Sequence, residues 1–185
     1  MNIPDTHVQE EIVITQESGE EIRFDCDKLI APLIRKLNEA GLYTKFCCSG
    51  HEENAFGFMY IYFQQTTDDE HANKLYDLID GVSEYFIPEF NYKMKSVNGN
   101  HRMTLTDPNE EELRLAVKLC FGVDFEDVFY IDDKGYIRQT GMFKKAIVSE
   151  VILRPTIPDE KFDKEYIEEN FKHVMAGIDR LSELL

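Results

Sequence analysis

Within the nine residues Tyr43-Thr44-Lys45-Phe46-Cys47-Cys48-Ser49-Gly50-His51, the chain places two of its four cysteines and one of its five histidines. A short apolar strand running into a tight Ser-Gly turn holds two thiols and an imidazole close together before any long-range folding is considered. Thiolate and imidazole are ligands that zinc prefers, and a thiol beside an imidazole is also the pairing that makes a nucleophile. Free cysteine is among the most buried residue types as well, so a packed structural turn is the third reading.

Side chains alternate faces along a strand, so Phe46 and Cys48 share one face and Cys47 takes the other. Cys48 and His51 are related as C-x2-H across Ser49-Gly50, a spacing that lets one turn present both to one ion. Cys26, read as lying in a loop before a helix, reaches the same point if strand Ile22–Phe24 runs beside the strand ending at Cys48. Cys47 joins if the backbone turns sharply at Cys48. The expected set is therefore Cys26, Cys47, Cys48 and His51 around Zn2+, with His7 or His101 as a further donor. The nucleophile reading uses a Cys47 or Cys48 thiolate, His51 as base and the Ser49 and Gly50 amides as oxyanion donors. Against it, the field of Glu52 and Glu53 raises a thiol's pKa, and no third residue is placed to orient His51.

Charge is the second signal. Thirty-six acidic against 20 basic residues give a net charge of −16. Such a surface repels phosphates, so direct nucleic-acid binding is not expected. It attracts basic proteins and speeds encounter with them. The acids expected to contact a partner are Glu52, Glu53, Asp68, Asp69, Asp124, Glu126, Asp127, Asp132 and Asp133. The last five lack the D-x-D-x-D-G order of a calcium loop. No apolar run is long enough to span a bilayer and the N-terminus does not read as a secretory signal, so a soluble protein of the bacterial cytoplasm is expected. In that compartment the cysteines are thiols or metal ligands rather than disulfides.

The remaining pattern predicts the elements that position these residues. Ile12–Ile14 and Ile22/Phe24 around Gly19 read as a hairpin, and Ile30, Leu33, Ile34 and Leu37 as a helix with Pro32 in its first turn and Gly41 after its end. Gly57–Phe63 is a strand; Ala72, Leu75, Tyr76, Ile79 and Val82 form a helical stripe after an Asp68 or Asp69 cap. Asn98-Gly99 joins strands Asn91–Val97 and His101–Thr106, and Asp107-Pro108 opens a helix running to about Cys120. A hairpin over Val128–Thr140, a strand over Ala146–Leu153 and a long helix over about 159–185 complete the chain. The fold class is α+β: one domain over 1–185, a mostly antiparallel sheet with hairpins, and three to four helices including the C-terminal one.

The run Asp27-x-x-Ile30-Ala31-Pro32-Leu33-Ile34-x-x-Leu37-Asn38-x-x-Gly41-x-x-Thr44-x-x-Cys47-Cys48-Ser49-Gly50-His51, followed by Tyr60-Ile61-x-Phe63, resembles small phage and bacterial proteins with an I-A-P-L-I…L-N…G…T…S-C-x-G core and no settled activity. The likeness covers residues 20–65. Cys47 stands where that core commonly has Ser, which singles out Cys48 as the thiol that matters. A phage-type core on an acidic body is also similar to the anti-CRISPR proteins, inhibitors of RNA-guided nucleases. That resemblance implies a metal-containing inhibitor that docks on the basic surface of a nucleic-acid-handling protein, such as a type II effector. The alternative is a small Cys/His-dependent or metal-dependent enzyme acting on a nucleotide or modified base.

Overall fold

A computed structural model of the chain describes residues 2–16, 18–64, 69–96, 98–143 and 146–185, the side chains of Asp69 and Met142 excepted. In chain order the elements are β1 (Gln9–Thr15), β2 (Glu21–Asp27), α1 (Ala31–Glu39), β3 (Thr44–Cys48), β4 (Tyr60–Gln64), α2 (Asp69–Gly81), β5 (Phe86–Lys95), β6 (Arg102–Thr106), α3 (Glu110–Phe121), α4 (Phe125–Val128), β7 (Phe129–Ile131), β8 (Ile137–Gln139), β9 (Ile147–Pro155) and α5 (Ile167–Leu184). The class is α+β, with antiparallel pairs β1/β2, β3/β4, β5/β6 and β7/β8. The main sheet has the order β3-β4-β9-β5-β6, while β1-β2 and β7-β8 are separate two-stranded ribbons. Among the described residues no helix is long and apolar enough to cross a membrane.

The chain forms two compact units, one of Met1–Gln64, Asn73–Pro88 and Ile152–Leu185, the other of Gln65–Ala72 and Glu89–Val151. The first is built around α1. Pro32 is tolerated at the start of this helix because its missing N–H belongs to the unpaired first turn. At the other end Gly41, with φ +80°, donates to Asn38 O and Leu42 N–H donates to Leu37 O, a left-handed cap that a β-carbon would strain. Asn38 is buried and clamps the start of β3. Its Nδ2 donates to Ile34 O (2.7 Å) and Thr44 Oγ1 (3.0 Å), and its Oδ1 accepts from Thr44 N–H (3.0 Å). The L-N…G…T spacing thus aims β3 from the end of α1.

The core of this unit takes Ile12 and Ile14 from β1, Leu33, Ile34 and Leu37 from α1, Leu75, Tyr76 and Ile79 from α2, and Phe171, Val174, Ile178 and Leu181 from α5. In the second unit Tyr92, Met94, Leu113, Val117, Phe125, Val128 and Phe129 pack together.

Several sequence expectations shift. Cys26 is on strand β2 rather than in a loop, because Gln9, Glu10 and Glu11 pair with Asp27, Cys26 and Asp25 and carry the ribbon three residues beyond Phe24. The α3 cap is Asn109, whose side chain accepts from Glu112 N–H while Glu112 accepts from Asn109 N–H; Asp107 instead turns the chain with φ +43°. The terminal α-helix starts at Ile167, so Phe162 and Tyr166 belong to the short 3₁₀ turns Asp159–Lys161 and Lys164–Tyr166 and their flanks. One extra helical turn, α4, brings the α-helices among the described residues to five. The strand end predicted at Val97 and the cap predicted at Asp68 lie outside the described residues.

Gly177 of α5 has its Cα against the Phe86 ring, and a β-carbon there would sit 2.5 Å from two ring atoms and 2.8 Å from Tyr85 Cβ. Phe86 is fully buried and has nowhere to retreat. Gly177→Ala is therefore expected to destabilise the protein by about 1–3 kcal/mol, overcoming the roughly 1 kcal/mol that alanine gains as a helix former. Urea denaturation measures it.

Candidate metal centre

Strand β3 ends at Cys48 and the chain then reverses through Ser49 and Gly50. Gly50 has φ +82°, and a β-carbon on it would lie 3.0–3.2 Å from backbone and ring atoms of Phe56. Only glycine fits a left-handed turn with that close an approach. The loop beyond folds into a 3₁₀ turn, Glu52–Asn54, closed by Phe56 N–H donating to His51 O at 3.0 Å. Helix α5 fixes this loop from below: Asn170 Nδ2 donates to Ala55 O at 2.9 Å, and buried Phe56 meets the Phe171 ring at 5.1 Å. The turn after β3 is thus held on both sides.

At its head stand Asp27, Cys48 and His51, whose donor atoms all lie within 4.8 Å of one another. Asp27 is 2% exposed, and its Oδ2 accepts from Ser49 N–H at 2.7 Å and from Ser49 Oγ at 3.1 Å. Cys48 Sγ is 3.4 Å from His51 Nε2 and accepts from Gly50 N–H at 3.4 Å. His51 Nδ1 is 3.1 Å from the hydroxyl of Thr6, itself 4% exposed. A proton on Nδ1 given to Thr6 leaves the Nε2 lone pair facing Cys48, the state in which an imidazole ligates metal.

A second group, His7, His51 and Glu53, shares the histidine. The two imidazoles stack in parallel with centroids 4.5 Å apart, and His7 Nε2 is 2.9 Å from Glu53 Oε1. That hydrogen bond raises the His7 pKa. His7 and Glu53 are mostly exposed, whereas Asp27 is buried and Cys48 and His51 are half-buried. The Asp27 group is accordingly the better candidate for a cation, because a buried carboxylate has the most to gain from a counter-charge.

The electrostatics agree. Burial first, then the field of Asp27, pushes the Cys48 thiol up to about 11, although the Gly50 N–H opposes this. Cys47 is pushed further up, first by its hydrogen bond with Cys26 and then by burial. Tyr60, paired with Cys48 across the ribbon, is raised by burial and by the neighbouring thiols and Asp27. Every acid that titrates upward here does so in a desolvated, negative pocket, and a divalent cation inverts that logic by favouring thiolate and carboxylate together.

The expected quartet is split. Cys48 and His51 come together as predicted, but Cys26 and Cys47 face each other, Sγ to Sγ at 2.7 Å, and belong to neither ligand group. Strand alternation separates them: Cys47 is turned to the core, Cys48 toward the turn. The third donor is Asp27, which sequence reading passed over. Its signal was its place one residue after Cys26, on the opposite face of β2. His7 reaches His51 from the N-terminal segment, while His101 lies in the second unit, flanking the β5–β6 turn.

Of the acids expected to meet a partner, several have local work. Asp124 pairs with Lys118 and Glu126 with Arg114, Asp127 caps Asp124 N–H, and Asp132 accepts from Lys134 and Tyr136 N–H and pairs with Arg138. Glu52, Glu53 and Asp133 are exposed. Asp68 and the Asp69 side chain lie outside the described residues. Comparison of the chain with known protein families, curated proteins and solved structures finds no match.

A raised Cys48 pKa means little thiolate near neutrality. In metal-free protein, alkylation of Cys48 at pH 7.5 is expected to run roughly 100-fold slower than that of an unperturbed thiol and to rise about tenfold per pH unit up to pH 10. A rate that levels off by pH 9 contradicts this. Peptide-resolved mass spectrometry after timed alkylation measures it.

Proposed function

We propose that the protein is a zinc-stabilised binding protein whose acidic surface docks on a basic, nucleic-acid-handling protein and blocks it. The observation that carries the metal is the convergence of Asp27, Cys48 and His51 within 4.8 Å. Carboxylate, thiolate and imidazole are all zinc ligands, and a mixed oxygen, sulfur and nitrogen set suits this borderline ion better than calcium or magnesium. Bound there, zinc ties the end of β2 to the end of β3 and to the turn beyond it. Structural zinc sites in small motifs contribute about 10–16 kcal/mol of apparent binding free energy, enough to rival a domain's whole stability.

The partner is inferred from the net charge of −16 and from Glu52 and Glu53 standing exposed beside the site. On the resemblance read from residues 20–65, which no comparison matches, the target would be an RNA-guided nuclease, since such enzymes carry basic channels for nucleic acid. Binding of this type speeds with charge and weakens with salt.

One observation favours the enzyme alternative: among the described residues three protein donors converge in the Asp27 group, which leaves a tetrahedral ion one position for water or substrate. Tyr60, half-buried opposite Cys48, and His7, stacked on His51, are further acid–base groups beside it.

Purified protein is expected to carry one zinc per chain, and chelation to lower its melting temperature. Cys48→Ala and His51→Ala should each abolish stoichiometric zinc and reproduce the chelated melting curve, while Asp27→Ala should abolish zinc and melt lower still, because it also removes the acceptor of buried Ser49. Elemental analysis with thermal melting reads both, and a metal-free protein that melts unchanged with chelator overturns the zinc reading. For the docking reading, Glu52→Lys/Glu53→Lys and raised salt should each weaken capture of a basic nuclease without shifting the melt. If metal content correlates instead with turnover while stability is indifferent to it, the enzyme reading takes over.

A further inference from the structure

We propose that Cys26 and Cys47 are a redox pair that closes into a disulfide, a modification site distinct from the zinc ligands. Their sulfurs lie 2.7 Å apart, between the roughly 2.05 Å of a bonded pair and ordinary sulfur contact. Both residues are buried, at 0% and 8% exposure, so each is already held in one position by packing. They come from strands that share no sheet: β2 is hydrogen-bonded to β1 in a two-stranded ribbon, and β3 is the edge of the five-stranded sheet, paired to β4. A covalent link between them joins two strands that backbone hydrogen bonds leave separate.

The other sulfurs are not placed to compete. Cys48 turns toward His51 and the Gly50 N–H, on the opposite side of β3 from Cys47. Cys120 lies in the core of the second unit.

The oxidant is a small peroxide, and burial together with the raised Cys47 thiol makes its attack slow, so the link forms over prolonged exposure rather than as a fast response. One thiol gives up its proton and attacks the peroxide oxygen, breaking the O–O bond and releasing water, which leaves a sulfenic acid. The second sulfur then displaces that hydroxyl as a second water. Two thiols and one hydrogen peroxide yield one disulfide and two waters, a two-electron oxidation that a dithiol reductant reverses. The loop closed is Cys26 to Cys47 and contains α1 with its Asn38 clamp, so the link fixes Asp27 of β2 beside Cys48 of β3. Tying this loop restricts the unfolded chain and raises the melting temperature. The proposal stands on sulfur geometry and does not depend on the zinc reading.

The test treats the full chain with hydrogen peroxide, blocks remaining thiols with N-ethylmaleimide, and reads intact mass and non-reducing peptide maps. The free chain has four thiols; the expected product is a monomer with two left, one crosslinked peptide pair joining Cys26 to Cys47, a higher melting temperature, and full reversal by dithiothreitol. Four alkylated thiols, a link through Cys48 or Cys120, or overoxidation of Cys26 or Cys47 without a link overturns the proposal. Cys48→Ser should keep the crosslink while losing zinc; loss of the crosslink in that variant also overturns it. Where Cys48→Ser fails to fold, the wild-type peptide map decides. A chain that binds no zinc yet forms the Cys26–Cys47 link removes the metal reading and leaves this one standing.

Discussion

The buried carboxylate of Asp27 is the constraint on which the site depends. A carboxylate at 2% exposure without partners costs several kcal/mol, so the fold must bring donors to it. It brings the N–H and hydroxyl of Ser49, which lie on another strand's exit turn. That pairing forces the end of β2 against the end of β3, and Gly50 must then accept a left-handed conformation pressed on Phe56. Cys48 and His51, on either side of Ser49-Gly50, are carried to the carboxylate as a consequence. Ser49 donates to one carboxylate oxygen and Gln9 Nε2 to the other at 3.4 Å, and the ligand atoms of Asp27, Cys48 and His51 gather within 4.8 Å of one another. The cation proposed there would favour thiolate and carboxylate together.

Most of the scaffold was legible because its signals are local. The Pro32 start, the Gly41 cap and the turn at Asn98-Gly99 depend on backbone dihedrals that few residues supply, and the stripe Leu75, Tyr76, Ile79 and Val82 is buried as its spacing demands. The site was half legible. Cys48 and His51 are neighbours in sequence, so a tight turn is enough to join them. Asp27 is joined to them by a register between ribbons, which no local spacing encodes, and three flanking acidic or thiol residues in Asp25-Cys26-Asp27 read as a polar loop. In fact Gln9 pairs with Asp27, and strand alternation then sends Cys26 and Asp27 to opposite faces. With Cys26 facing Cys47 at 2.7 Å, the four residues expected around the ion do not converge on one point in this structure.

The acidic surface divides into two kinds of carboxylate. Asp124, Glu126, Asp127 and Asp132 cap helix and turn N–H groups or neutralise Arg114, Lys118 and Arg138, so part of the excess charge is used inside the second unit. Glu52 and Glu53 stand in the loop that His51 and α5 hold in shape. The proposed recognition and metal binding would therefore share one segment, because the loop that carries His51 also carries Glu52 and Glu53.

Zinc-edge X-ray absorption on the purified, metal-loaded protein tests the central claim most directly, because it counts sulfurs. The Asp27–Cys48–His51 centre predicts one Zn–S distance near 2.3 Å with the remaining ligands, nitrogen or oxygen, at about 2.0–2.2 Å. Two or more sulfurs around the zinc would restore the Cys26/Cys47 set and contradict the account, as would a protein that holds no zinc to measure.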